Sequence, residues 1–364
     1  MLQSATVLWV ECNLLSEKTV FYTVVLTHAD QADGWPRGNF TDINQIDITT
    51  SDRAIYMTDI LRTPDSCFTQ LKDYPFSQNY RNLISSGNEL RMHYVDEGSK
   101  SAPVILMLHG EPSWSYLYRK MIPIFTEAGF RAIAPDLIGF GKSDKLRSCT
   151  NYSYQRHVDW TREFILALNL TNITLVGQDW GGPIGLRQVA LEAERFSRIV
   201  LTNTLLPNCQ PPPLGIANWP SQQIIDWVTF SANTLDLEIG EIMQGATVTK
   251  LSPDTIAAYN APFPTAEYKA AAQVFPALIP IERTMAGCSE NIEAWKVLQN
   301  WHKPLLTAFS DNDPSTKPWE TVFQQRIPGA AKQPHLTIED AGHFLQEDRG
   351  EQLADAIIKF ADKT

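Results

Sequence analysis

From about residue 82 onward, the chain alternates between short apolar runs and segments whose apolar residues recur at helical spacing. The clearest helical segment covers residues 154–168. Short, continuously apolar strands that alternate with helices are typical of a parallel sheet covered by helices on both faces. The runs that predict strands are 90–95, 104–108, 131–134, 173–176, 198–202, 305–309 and 336–338. The pattern therefore predicts an α/β fold with a mostly parallel central sheet.

This alternation stops between about residues 207 and 301, where prolines are followed by several helical patterns and no clear strand. Such a segment predicts a helical insertion between two core strands. Because parallel sheets bind ligands beyond the carboxyl ends of their strands, an insertion at that edge would cover the binding site. We therefore expect a core made of residues 57–206 and 301–364, with a helical cap made of residues 207–300.

Residues 1–56 do not show the alternation of strand and helix patterns that the core shows. Residues 20–27 have the pattern of a strand, whereas residues 42–52 are polar and offer little surface to bury. We predict that residues 1–56 form a poorly ordered N-terminal extension that takes no part in the chemistry. The main fold would then begin at Met57.

Charge and cysteine usage narrow the class of protein. The net charge of -11 and the pI of about 5.1 argue against a phosphate-binding surface, and so against nucleic acid as a partner. No window reaches the length of about 18 apolar residues that a membrane span requires. The first apolar stretch has no basic residue before it and is interrupted by Glu11, which fits a secretory signal poorly. The five cysteines are scattered and indicate neither a disulfide framework nor a zinc site. These features predict a reduced, cytoplasmic protein.

The segment ITLVGQDWGGPIG carries the strongest chemical signal. Where a strand turns sharply into a helix, small residues around the turn lift the central side chain to the top of the sheet, near the helix N-terminus. The central residue here is Asp179, at the position where esterases carry a serine. Asp179 could instead only cap the helix, since aspartate is a favoured N-cap residue. The preceding strand and the flanking Gly177 and Gly181 favour a carboxylate nucleophile.

A carboxylate nucleophile forms a covalent ester that water must cleave, and that step needs a base. His343 follows the last predicted strand and is the candidate, because its ordinary pKa of about 6.5 leaves it largely neutral at working pH. A third group must hold the imidazole. Asp311 and Asp313 both follow a predicted strand; the proline after Asp313 favours that residue, and Asp311 stays an alternative. Asn203, after the preceding strand, cannot supply the negative charge.

The segment HGEPSW follows the predicted strand of residues 104–108. A loop at this place offers a backbone N–H group to a developing oxyanion, together with the N–H group of the residue after the nucleophile. Those two donors would be the backbone N–H groups of Glu111 and Trp180. This role requires only the backbone of Glu111.

Three segments in this order, HGEPSWSYLYRKMIP, DLIGFGKSDK and VGQDWGG, closely resemble the haloalkane dehalogenases of the subfamily whose catalytic acid lies late in the chain. The resemblance extends from about Met57 to the C-terminus. It implies an α/β-hydrolase fold with a helical cap, and it assigns the acid to Asp313. It also implies that two indole N–H groups bind the departing halide. Trp180 matches the first of these, and Trp227 in the insertion matches the second, with Trp219 as a rival.

The resemblance implies a two-step hydrolysis without a metal or an organic cofactor. Asp179 attacks the carbon that bears the halogen, and His343, held by Asp313, then activates water against the ester. The products are an alcohol, a halide ion and a proton. The expected partners are a small apolar halogenated substrate and a halide ion, with neither nucleic acid nor membrane, and the expected state is a monomer.

An epoxide hydrolase of the same fold is the main alternative. That family resembles the chain less, because it usually has HGFP and a histidine before the nucleophile, where this chain has Glu111 and Gln178. It also needs two cap tyrosines, for which Tyr259 and Tyr268 are available. Fluoroacetate dehalogenases fit less well, since an arginine usually follows their nucleophile, and the lack of a G-x-S-x-G motif disfavours a serine esterase. A hydrolase relative that only binds a small apolar ligand is a further alternative.

Overall fold

An eight-stranded sheet forms the centre of the protein in the computed structural model, which describes residues 5–12, 20–27, 59–85, 87–209, 216 and 219–364. The strands are β1 (Ala5–Cys12), β2 (Val20–Thr27), β3 (Ile60–Leu61), β4 (Asn79–Ser85), β5 (Asn88–Glu97), β6 (Val104–Leu108), β7 (Arg131–Pro135), β8 (Lys145–Leu146), β9 (Ile173–Gln178), β10 (Phe196–Thr202), β11 (Leu305–Ser310) and β12 (Leu336–Ile338). Every residue of β6, β9 and β11 is buried, as expected for parallel strands that are covered on both faces.

The order of strands in the large sheet is β12-β11-β10-β9-β6-β7-β5-β4. Neighbours from β12 to β7 are parallel, whereas β5 pairs antiparallel with β7, and β4 pairs antiparallel with β5. The prediction of a mostly parallel α/β sheet is therefore confirmed. All seven predicted strands are present, and each begins and ends within two residues of its predicted bounds.

Ten α-helices connect or cover these strands in the described part of the chain. They are α1 (Met121–Glu127), α2 (Tyr154–Ala167), α3 (Gly181–Leu191), α4 (Gln222–Asn233), α5 (Ile239–Gly245), α6 (Pro253–Asn260), α7 (Ala270–Val274), α8 (Cys288–Leu298), α9 (Lys317–Arg326) and α10 (Leu345–Ala361). Helix α2 begins where the side chain of Ser153 accepts a hydrogen bond from the backbone N–H of Arg156, a favoured N-cap arrangement. Helix α1 packs against α10, and α3 packs against α2 and α8.

Helices α4 to α8 lie in the insertion between β10 and β11. Helix α8, however, contacts the core: Trp295 Nε1 donates to the backbone oxygen of Leu206 at 2.9 Å, and Tyr154 on α2 donates to Asn291 Oδ1 at 2.9 Å. The limits of 207–300 for the cap remain our proposal.

The described residues of the N-terminal extension form a hairpin in which β1 pairs antiparallel with β2. The strand expected at residues 20–27 is thus present. The prediction that the extension is poorly ordered concerns residues that otherwise lie outside the described part of the chain. Among the described helices, none is both long enough and apolar enough to cross a membrane.

The cysteine pattern suggested no disulfide framework, and the structure corrects that expectation. Cys209 and Cys288 form a disulfide, with their Cα atoms 5.9 Å apart, and they lie 79 positions apart in sequence. Cys209 lies shortly after β10, and Cys288 is the first residue of α8. The chain leaves the core and returns to it at nearby points, so two cysteines without a sequence motif come together.

Candidate active site

The site lies where the direction of strand succession reverses. Strands β6 and β9 are parallel neighbours; the chain continues from β6 to β7 on one side and from β9 to β10 on the other. Open α/β sheets bind ligands in the crevice beyond the carboxyl ends of such strands. The loops after β6 and β9 carry Glu111 and Asp179, so the fold brings these two residues together.

Asp179 occupies the sharp turn between β9 and α3. Its φ is +48°, a left-handed conformation that is costly for a residue with a side chain and that recurs at functional sites. The backbone oxygen of Asp179 accepts hydrogen bonds from Thr204 Oγ1 at 2.6 Å and from the N–H of Gly182 at 3.0 Å. A Cβ atom at Gly181 would overlap the backbone oxygen of Leu108 on β6. The turn therefore requires glycine at that position, as the sequence indicated.

His343 lies beside the carboxylate of Asp179. Its Nε2 is 3.4 Å from Asp179 Oδ2, and its Nδ1 is 2.9 Å from Asp313 Oδ2. The structure thus brings the three predicted residues into one chain of contacts. An imidazole between two carboxylates can exchange a proton at Nε2 while Nδ1 is held.

Asp313 is enclosed by hydrogen-bond donors. Its side chain is 3% exposed, and it accepts from Ser315 Oγ and Thr316 Oγ1 as well as from His343. Burial tends to raise the pKa of Asp313, but His343 and the two hydroxyl groups lower it well below its usual range. The alternative, Asp311, instead accepts from the backbone N–H groups of Asp340 and Ala341.

The protonation of His343 follows from its neighbours. Burial alone would lower the pKa of His343, but the carboxylates of Asp313 and Asp179 raise it to about 10. At neutral pH the imidazole is therefore cationic and not largely neutral, as its ordinary pKa suggested.

The backbone of Glu111 contacts the predicted nucleophile directly. Its N–H group donates to Asp179 Oδ1 at 2.8 Å, which is the position required of an oxyanion-stabilising donor. Trp180, the residue after Asp179, is 5% exposed, and its ring packs edge-to-face against Tyr154 and Phe275, with centroids 5.3 and 5.0 Å away. The indole of Trp180 is therefore held firmly beside Asp179.

The two candidates for the second indole, Trp219 and Trp227, occupy different surroundings. Trp227, on α4, donates its indole N–H to Glu111 Oε2 at 3.2 Å, so it reaches the loop that contacts Asp179. The ring of Trp219 packs against Trp319 of α9, with centroids 5.0 Å apart. These contacts favour Trp227 over Trp219 as the second indole of the site.

Two polar residues that position His343 were not singled out for this role from the sequence. Gln178 Nε2 donates to the backbone oxygen of His343 at 3.2 Å and lies 3.1 Å from its ring Nε2. Asn203 Nδ2 donates to the same backbone oxygen at 3.0 Å and to that of Gly342 at 2.9 Å. Both residues end or follow a strand at the same sheet edge as Asp179, and that position was the available signal.

Within the described ranges, no group of three histidine, cysteine, aspartate or glutamate side chains is arranged to hold a metal ion. The chemistry that the site offers is that of a carboxylate, an imidazole paired with a second carboxylate, and N–H donors around them. Such a set can form and hydrolyse an ester at Asp179.

Comparison with known proteins gives a consistent result. Residues 103–350 match the family model of the α/β-hydrolase fold. The chain is 49% identical over 302 residues to a haloalkane dehalogenase of Psychrobacter cryohalolentis, covering 83% of this chain and 97% of that protein. It is 45% identical over 304 residues to a haloalkane dehalogenase of Mycolicibacterium paratuberculosis, covering 83% of this chain and 98% of the relative. It also resembles the solved structure of the tetrameric haloalkane dehalogenase DpaA from Paraglaciecola agarilytica, with a TM-score of 0.75, 34% identity and coverage of 81% and 96% of the two chains.

Proposed function

Since this chain belongs to the haloalkane dehalogenase family, we propose that it hydrolyses haloalkanes to an alcohol, a halide ion and a proton through a covalent ester on Asp179. The observation that carries the assignment of the residues is the placement of His343. Its ring contacts Asp313 at 2.9 Å on one side and Asp179 at 3.4 Å on the other.

In the first step, a carboxylate oxygen of Asp179 attacks the carbon that bears the halogen. A carbon–oxygen bond forms, and the carbon–halogen bond breaks with its electron pair going to the halide. The indole N–H groups of Trp180 and Trp227 donate to that anion. Indole is a donor without acceptor capacity, which suits an anion in a pocket with few other polar groups.

Ester formation removes the negative charge of Asp179, so His343 releases its proton to solvent. In the second step, the neutral His343 Nε2 takes a proton from water, and the resulting hydroxide attacks the carboxyl carbon of the ester. The N–H groups of Glu111 and Trp180 stabilise the tetrahedral oxyanion. Its collapse breaks the bond between the carboxyl carbon and the alkoxy oxygen. The leaving alkoxide takes the proton held by His343 Nε2 and departs as the alcohol. The carboxylic acid left on Asp179 then gives its proton to His343, which restores the carboxylate and the imidazolium.

The contacts of Tyr259 disfavour the epoxide hydrolase alternative. Tyr259 is fully buried and donates to Glu347 Oε1 at 2.5 Å, so its hydroxyl is engaged by a carboxylate on α10. An epoxide hydrolase would need that hydroxyl for the oxygen of its substrate. The other cap tyrosine, Tyr268, could not form the required pair alone.

The direct test is halide release from 1,2-dibromoethane and 1-bromobutane in weak buffer. We expect release by the wild-type protein and a loss of roughly 10⁴-fold in Asp179→Ala. No halide release by the wild type with either substrate, or equal release by the variant, would contradict the proposal.

A matched pair of variants tests which cap indole binds halide. Trp227→Phe removes the N–H donor near Glu111, and we expect it to lower kcat/KM by about 10-fold or more. Trp219→Phe removes an indole of the same size that packs on Trp319, and a loss of less than about threefold is expected. The reverse order of effects would assign the halide to Trp219.

A monomeric state and a cytoplasmic location also remain proposals. DpaA, a relative in structure, is tetrameric, so the mass of this protein in solution has to be measured by light scattering.

The disulfide between Cys209 and Cys288 argues against a cytoplasmic location, because disulfides are rare in reducing compartments. Thiol alkylation in intact cells, followed by mass spectrometry, decides it: oxidised Cys209 and Cys288 would contradict a cytoplasmic location.

A further inference from the structure

The side chain of Glu111 is a buried acidic group at the site for which the proposed mechanism has no use. The residue is 4% exposed. Its Oε2 accepts the indole N–H of Trp227 at 3.2 Å, and its Oε1 is buried without a hydrogen-bond partner among the described residues. The N–H group of the same residue donates to Asp179 Oδ1. Glu111 therefore connects the nucleophile to the cap indole through its own backbone and side chain.

The charged groups that face this carboxyl are Asp179 and His343. Burial, and then the carboxylate of Asp179, raise the pKa of Glu111 well above its ordinary value, against weaker opposite effects of Trp227 and His343. An ionised Glu111 would place a second negative charge beside Asp179 and leave one buried oxygen without a donor.

We propose that Glu111, as an uncharged carboxylic acid, is the positioning residue that holds the indole N–H of Trp227 for the leaving halide, and that its ionised form excludes halide. This inference rests on the proposed function, because it assumes that Trp227 binds the halide. In the halide complex the indole N–H is shared between the anion and Glu111 Oε2, so the contact still orients the ring. A neutral carboxyl is a weak competitor for that donor, whereas a carboxylate accepts more strongly and also repels the halide.

The experiment measures bromide binding by titration calorimetry in the wild-type protein and in Glu111→Gln. The amide keeps the size and the acceptor oxygen of the acid and preserves the backbone N–H, but it cannot ionise. Deprotonation of His343, with a pKa of about 10, weakens binding in both proteins. The readout is therefore the ratio of the two dissociation constants at each pH.

We expect a ratio of wild-type to Glu111→Gln dissociation constants near one at about pH 6, rising to at least about tenfold by about pH 10. A ratio that stays constant over this range would overturn the inference, and so would an absence of bromide binding at about pH 6 in the wild type.

A double-mutant cycle at low pH tests the positioning of Trp227. Glu111→Leu removes the acceptor, and we expect it to weaken bromide binding about threefold to tenfold in the wild-type background and to have little effect in Trp227→Phe. In the control background Trp219→Phe, we expect Glu111→Leu to weaken bromide binding as much as it does in the wild-type background. Equal losses in the Trp227→Phe and wild-type backgrounds would overturn the inference.

The calorimetric readout needs no turnover, so the two proposals can fail separately. Bromide binding with the expected ratio but no halide release from haloalkanes would overturn the proposed function and support the role of Glu111. Normal halide release with a constant ratio would overturn the role of Glu111 alone.

Discussion

The ring of His343 lies between Asp313 Oδ2, at 2.9 Å, and Asp179 Oδ2, at 3.4 Å. While both carboxylates are ionised, they stabilise the imidazolium, and the pKa of His343 is about 10. Formation of the ester removes the negative charge of Asp179. We therefore infer that the pKa of His343 falls when the ester forms, so that the base becomes available only in the step that needs it.

The raised pKa of His343 predicts a pH dependence of stability. Because the folded-state value of about 10 exceeds the ordinary 6.5, the ion pairs of His343 contribute fully below about pH 6.5, and their contribution is lost as the pH rises toward 10. We expect the difference in unfolding free energy between the wild type and His343→Gln to shrink over this range. Denaturant unfolding at about pH 6, 8 and 10 measures it. A constant difference would show that His343 is not held as a cation.

At the residue scale, the chemistry of the site could be predicted better than its contacts. Asp179 and His343 occupy positions that strand ends and short motifs define locally. The bond from Trp227 to Glu111 joins residues 116 positions apart and depends on how α4 packs over the sheet, which no local pattern encodes. The same holds for Asn203, whose side chain contacts the backbone of His343, 140 positions away.

At the scale of elements, the turn from β9 into α3 depends on a close approach to β6. Gly181 opens α3, and a Cβ atom there would overlap the backbone oxygen of Leu108, an atom that cannot rotate away. The position of the nucleophile is thus fixed by the contact between two backbone segments.

The variant Gly181→Ala tests this contact. We expect a loss of stability of about 1–3 kcal/mol, because α3 or β6 must shift. A displacement of Asp179 by about 1 Å would lower kcat/KM by about 100-fold. The control is Gly245→Ala, where a Cβ atom meets nothing within 4 Å and little change is expected. Similar effects of the two substitutions, measured by thermal unfolding and halide release, would contradict the account.

The predicted strands are those whose residues are mainly apolar. Strands β6 and β12 have the predicted bounds, because their apolar residues are bounded by polar or turn residues. Strand β4 was missed. It lies at the edge of the sheet, and most of its side chains are exposed or half-buried, so its sequence, NYRNLIS, has no apolar run. Strand β4 is held in the sheet by its backbone pairing with β5, which its own sequence pattern does not indicate.

At the scale of the whole molecule, the large sheet forms without the N-terminal hairpin. The order of its eight strands includes neither β1 nor β2 in the described structure. We expect a protein that begins at Met57 to fold and to keep its kcat/KM within about threefold of the full chain. Circular dichroism and halide release measure this. An insoluble or inactive product would show that residues 1–56 are part of the working fold.

The contacts between the cap and the core could not be predicted from the sequence. Tyr259 on α6 bonds to Glu347 on α10, which also pairs with the buried Arg119. The residues of the first bond are 88 positions apart, and those of the second are 228 positions apart. The disulfide of Cys209 and Cys288 is a similar case. The order of apolar segments indicated an insertion, whereas its placement depends on long-range packing.

The most direct test of the central claim is to trap the ester. His343→Gln keeps the nucleophile and the N–H donors but removes the base, so we expect 1-bromobutane to release one bromide per protein and then stop. Mass spectrometry of the digested protein should find one butyl group on the peptide that contains Asp179. Absence of that adduct, with continued turnover or with the alkyl group on another residue, would contradict the account.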